Sequence, residues 1–158
     1  MGMRSCVIGM AVSVSVLMMS AVAWALQAGG VETGDLETGS VVGQRFKELS
    51  VDLDIHPTEI GGLKVLYPLM SVLDLKSRPS TPVLVRVTNP STSERGFLMT
   101  AAANQAAPTV LNVQRVLKPG ESKYIGIPTS DLLYAAGATF VYRDHLNPKD
   151  PGGTLLLI

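Results

Sequence analysis

The sequence predicts an all-β chain, a single antiparallel β-sandwich of about seven or eight strands behind a cleaved leader and a flexible linker. Three observations predict it. From Ser50 onward, short β-like runs alternate with Pro, Gly and Asn turn residues, at the roughly 8–12-residue spacing of sandwich strands. No long amphipathic helical pattern interrupts them. Once the apolar leader is removed, the chain has no cysteine, so sheet packing must stabilise it without the disulfides common in small secreted domains.

The leader comes first. Arg4 gives a positive start, Cys6 to Met19 is apolar, and Ala23-Trp24-Ala25 offers small residues at the −3 and −1 positions of a cleavage site. This is the pattern of a secretory signal peptide over residues 1–25. The apolar run is shorter than the roughly 20 residues a spanning helix needs, so no stable membrane span is expected after cleavage. Cys6 stands at the start of that run rather than at its end, where it is not a lipid-attachment site. The mature chain is then periplasmic or extracellular.

Residues 26–47 read as a flexible polar linker rich in Gly, Thr, Glu and Ser, with Glu32-Thr33-Gly34 repeated at Glu37-Thr38-Gly39. The domain follows over residues 48–158. Val51, Leu53 and Ile55 alternate with Asp52, Asp54 and His56 in a half-buried strand that Pro57 is expected to end. Gly61-Gly62 makes a turn. Leu63 to Leu75 is apolar but interrupted at Pro68, so it is one bent strand or two short ones. Val83 to Thr88 is the clearest strand, with Val83, Val85 and Val87 on one face.

Phe97 to Ala102 and Val110 to Leu117 are further strands. Lys118-Pro119-Gly120-Glu121 is a tight turn, because Pro sets φ and Gly accepts positive φ. Lys123 to Ile127 returns as a strand, and Ser130 to Leu133 can form one helical turn. Ala138 to Asp144 and Thr154 to Ile158 complete the set. This spacing fits an immunoglobulin-like sandwich without the Cys-Trp-Cys core of antibody domains.

Composition narrows the function. The mature chain has 12 basic and 13 acidic residues, so it presents no broad basic field for nucleic acid. Loss of Cys6 with the leader excludes thiolate catalysis, zinc–cysteine sites and blue-copper centres. His56 and His145 are the candidate metal ligands, with Met70 and Met99 as thioether donors. They lack ligand spacing, so no metal site and no cofactor is expected. Asp52 and Asp54 share a strand face and read as solvated carboxylates. The serines lie in loops without a nucleophile elbow. No catalytic residues emerge, and the chain is not expected to be an enzyme.

Val113-Gln114-Arg115-Val116-Leu117-Lys118-Pro119-Gly120-Glu121-Ser122 resembles a stretch of the periplasmic pilus chaperones, in which a hydrophobic strand with an arginine runs into a Leu-x-Pro-Gly-x-Ser turn. Val83 to Asn89 and Phe140 to Pro148 are similar to two further strands of that family's N-terminal immunoglobulin-like domain. The resemblance implies the same fold over most of residues 50–158 and a chaperone-like or assembly role. It does not bring the basic pair with which those chaperones grip a terminal carboxylate. Neither Val51–His56 nor Thr154–Ile158 carries Arg or Lys, and Lys64 and Lys149 are not motif matches. The family's second domain has no counterpart here either.

The expected function is therefore non-enzymatic binding of another envelope or secreted protein. Leu155, Leu156, Leu157 and Ile158 are the candidate partner-binding strand, which either closes the core or pairs with a partner. The alternative is a small-ligand or metal-binding sandwich using His56 and His145.

Overall fold

The computed structural model describes residues 30–77, 81–102, 111–134 and 136–158. The signal peptide expected over 1–25 lies outside the described residues, as do Arg78–Ser80 and the whole of Asn104–Pro108. No helix among the described residues is long and apolar enough to cross a membrane.

Among the described residues there are twelve strands: β1 (Glu32–Gly34), β2 (Ser40–Val41), β3 (Gln44–Arg45), β4 (Val51–Ile60), β5 (Leu63–Tyr67), β6 (Met70–Leu73), β7 (Val83–Thr88), β8 (Arg95–Ala101), β9 (Val113–Leu117), β10 (Ser122–Ile127), β11 (Thr139–Arg143) and β12 (Gly153–Leu157). A 3-10 turn covers Phe46–Glu48, and one short helix, α1, covers Thr129–Tyr134. The expected all-β sandwich is present. One sheet has the order β1-β10-β7-β4-β5 and the other β6-β12-β11-β8-β9. Pairing is not wholly antiparallel, because β4 runs parallel to β7 and β12 parallel to β6.

The inner faces meet in one core. Val83, Val85 and Val87 of β7 and Ile125 and Ile127 of β10 pack there with Phe97, Met99, Phe140, Leu155 and Leu157 of the second sheet. Period-two alternation puts these residues on the inner faces. Burial of so many large aliphatic and aromatic side chains is what replaces disulfide stabilisation.

Two sequence expectations change. Pro57 does not end its strand, since β4 continues to Ile60. The Leu66 N–H opposite it donates to Pro151 O rather than across to β4. The Pro57–Leu66 pair is thus one that exchanges no ladder bonds, and the missing proline N–H costs nothing there.

The polar linker expected over 26–47 is folded from residue 32. β1 pairs with β10, matching Thr33 to Ile125. β2 and β3 make a small hairpin, and Val41 and Phe46 form a second cluster with Leu84 on the outer side of the first sheet. Phe46 is fully buried. It sits over Gly39 and Gly126, where an added Cβ would collide with its ring. Leu36, Leu49 and Tyr124 pack around this cluster. Residues 32–49 are therefore an arm clasped on the first sheet.

Asn89 stitches the end of β7 to the turn between β9 and β10. Its amide donates to Ser93 O, Leu117 O and Lys118 O, and its Oδ1 accepts from Ser91. That turn carries the chain from the second sheet to the first, with Gly120 at φ 74° as expected for its role.

Candidate functional site

The residues singled out in the sequence do not converge. Asp52 accepts the Leu84 N–H through Oδ2 beside the irregularity in the β4–β7 register. Asp54 holds Arg86 in a two-point ion pair, at 3.1 and 2.6 Å. This pair raises the Arg86 guanidinium above its ordinary value, mainly through the hydrogen bond to Asp54. Both carboxylates tie β4 to β7.

His56 lies opposite Tyr67 across β4 and β5, with ring centroids 5.6 Å apart. His145 follows β11 in the other sheet and lies against Gly96, with its Nδ1 buried and without a hydrogen-bond partner. Met99 is fully buried in the core, whereas Met70 is 70% exposed on β6. Among the described residues no three His, Cys, Asp or Glu side chains form a group that could hold a metal ion.

The candidate partner strand Leu155–Ile158 is not an edge. β12 lies between β6 and β11, and Leu155 and Leu157 are fully buried. Its backbone is paired on both sides, so it has no free row of N–H and C=O groups to offer. Only Ile158, beyond the strand, is exposed.

The structure builds two features that the sequence reading missed. The first is a buried polar knot between β8 and the loop after β11. Asp144, 2% exposed, accepts from Gly96 N, Leu146 N, Asn147 N and Nδ2, and Arg95. Arg95 also binds Asp150 at 2.9 Å. Burial alone pushes the Asp144 carboxyl up. The Asn147, Gly96, Leu146 and Arg95 donors outweigh it and hold the group below its ordinary value. Arg95 borders an open cleft of about 230 Å³ lined by Pro57, Thr58, Glu59, Lys64, Pro90 and Ser91.

The second is an apolar lateral side. β5 is the edge of the first sheet and β6 the edge of the second, and they are consecutive in the chain. Leu63, Tyr67, Leu69, Met70 and Val72 are all exposed there. The parallel ladder to β12 uses Leu69 O, which accepts from Thr154 N, and Leu73 O, which accepts from Ile158 N. Alternation along the strand then turns the backbone groups of Met70 and Val72 outward. The apolar run with a proline break at Pro68 was the available signal, but it does not say which strands end up at edges.

No family model matches the chain, and no curated protein matches it. Several solved structures are similar. A purple cupredoxin from Nitrosopumilus maritimus gives a TM-score of 0.45 at 15% identity, over 68% of this chain and 100% of that one. An azurin from Methylomonas sp. strain J gives 0.47 at 10% identity, over 68% and 99%. An amicyanin variant in the copper(I) state gives 0.44 at 10% identity, over 71% and 88%.

These neighbours are cupredoxins, not pilus-chaperone domains, and they overturn the chaperone resemblance drawn from Val113–Ser122. That match reflects turn physics, with Pro119 and the positive φ of Gly120 reversing the chain and Glu121 accepting from Lys118 N. At these identities and scores the likeness gives this chain neither a metal nor an activity. The donors test it independently. A blue-copper centre needs a cysteine thiolate with two imidazoles. Among the described residues there is no cysteine, and His56 lies on β4 of the first sheet whereas His145 lies in the loop after β11 of the second. The donor set does not fit such a centre.

Proposed function

We propose that this chain is an exported, non-enzymatic β-sandwich that binds another polypeptide along its β5/β6 side. The observation that supports this reading is the pairing of exposed apolar side chains with outward backbone groups on β6, where Met70 is 70% and Val72 50% exposed. An edge of this kind is a template for an added strand, with main-chain hydrogen bonds supplying affinity. Natural edges are commonly blunted by charge, and Met70–Leu73 carries none. The polar knot supports a non-enzymatic reading, since the Asp144 carboxylate is held within the fold by Gly96, Leu146, Asn147 and Arg95. The leader supports export.

The test is crosslinking of the protein in its native envelope or medium, comparing Val72→Lys with Val116→Lys. Val116 is an exposed apolar residue on β9, at the opposite edge of the same sheet. Capture of a polypeptide by the β6 edge is expected to fall at least tenfold in Val72→Lys, about 1.4 kcal/mol, and to stay unchanged in Val116→Lys. Equal capture by both variants overturns the proposal.

One observation favours a second reading, small-ligand or metal binding. His145 Nδ1 and Arg95 Nε are both buried without partners, and Arg95 borders the open cleft. Copper(II) and zinc(II) titration of the protein decides this. Stoichiometric binding that disappears in His145→Ala or His56→Ala would install this reading in place of the first. Absence of binding, or binding indifferent to both substitutions, removes it.

A further inference from the structure

We infer that the polypeptide received by the β6 edge is a second copy of this chain, paired antiparallel about a two-fold axis at Ser71. The inference rests on the edge-binding reading above and names its occupant. The argument begins with the length of the edge. On one side it stops at Pro68, which has no N–H to donate. On the other side, after Leu73, the chain turns. There Asp74 Oδ1 accepts from Lys76 N, and Asp74 O accepts from Ser77 Oγ. Only Met70 and Val72 remain with backbone groups free to pair.

A long extended peptide would gain bonds at these two residues and leave the rest of its length unpaired. A second copy brings an edge of the same length with the same two stops. With the two-fold at Ser71, Met70 faces Val72 of the second copy and Val72 faces its Met70. Each facing pair exchanges two backbone hydrogen bonds, because residues directly opposite in such a pair exchange both N–H and C=O. The contact is isologous and closes on itself, so it makes a dimer and not a fibre.

Side chains and charge agree with this geometry. Met70 and Val72 lie on the same face of the sheet, so each covers the other across the axis, and neither is charged. Without the leader the chain carries 12 basic and 13 acidic residues, so net repulsion between two copies is small. The two five-stranded sheets would join into one continuous sheet through β6, removing the exposed edge from each copy.

The register makes the test specific. A hydrogen-bonded antiparallel pair has Cα atoms about 5.5 Å apart, inside disulfide reach. Met70 and the Met70 of the second copy are offset diagonally, as are the two Val72 residues, beyond that reach. In the chain without its leader, which has no other cysteine, Met70→Cys protein mixed with Val72→Cys protein is expected to form a disulfide dimer on mild oxidation. Each variant alone is expected to stay uncrosslinked. Sedimentation of the unmodified protein is expected to show a concentration-dependent dimer that Val72→Lys abolishes, with the melting transition of the monomer retained.

A protein that is monomeric at every concentration overturns the inference, as does crosslinking of either cysteine variant with itself in preference to the mixture. The edge reading is judged separately. If the protein is monomeric and Val72→Lys still loses capture of a different polypeptide, only the identity of the occupant is wrong. If Val72→Lys changes neither dimer nor capture, both readings fall.

Discussion

Replacing Asp144 by Ala is expected to lower unfolding free energy by about 3–5 kcal/mol, the range for breaking a buried ion pair by removing one partner. The cost arises from what is left behind. Arg95 is 8% exposed, and its Nη1 would retain Asp150 alone, while the Gly96 N–H would lose its carboxylate acceptor inside the fold. Urea unfolding at neutral pH measures the loss. A change below about 1 kcal/mol would show that the knot is replaceable by water.

The same carboxylate sets an acid limit. Its pKa is lowered in the folded state from an ordinary value of 3.8. A lowered folded pKa stabilises the native state above the unfolded value, and that stabilisation is lost as pH falls through the folded value. Wild-type stability is therefore expected to drop steeply below about pH 4, and Asp144→Ala to flatten that slope. Glu121 is also lowered, first by the Lys118 N–H and then by Lys123. Its shift has the same sign, so a residual slope remains in the variant. A variant with the wild-type acid slope would exclude Asp144 as its source.

The second large effect is at Phe46. Phe46→Ala is expected to cost about 3–5 kcal/mol, as for other fully buried phenylalanines. It empties a position closed by Gly39, Gly126, Val41 and Leu84. Its further consequence is local, because β1 and the β2–β3 hairpin hold few other core residues. Hydrogen exchange is expected to accelerate in residues 32–49 before it does in β7 or β8, a sub-global opening confined to the arm. Uniform acceleration across both sheets would instead make the arm an integral part of one cooperative unit.

The strands were readable where one face is buried and the next residue is not. Val83, Val85 and Val87 alternate with Arg86 and Thr88, and the pattern predicts β7 and its inward face directly. The same pattern misjudges Leu84, which points outward and is nonetheless fully buried. Its cover is the arm, whose polar composition carries no periodic signal. A lone Phe46 in such a stretch says nothing until Gly39 and Gly126, far apart in sequence, are brought beneath it.

The polar knot was illegible for a related reason. Arg95 and Asp144 are 49 positions apart and Arg95 and Asp150 are 55 apart. Asp144 and Asp150 sit in turn-rich sequence, where solvated carboxylates are ordinary. Leu155–Ile158 reads equally as a strand that closes the core or as a pairing edge, because an apolar strand looks alike at an edge or at the centre of a sheet. Only topology decides, and a parallel insertion of β12 beside β6 is not encoded in the local pattern of either strand.

That insertion has a consequence for how the chain acquires its structure. Met70 and Thr154 are register partners 84 positions apart, and β12 also supplies the neighbour of β11. The second sheet is split into two unjoined parts until Gly153–Leu157 reaches it. Such late, distant pairing makes folding slow relative to local contacts. For a polypeptide threaded outward from its start, the sandwich stays open through most of its passage and closes only once residue 157 has emerged. Under the export proposed above, completion of the second sheet is the step that follows passage of residue 157.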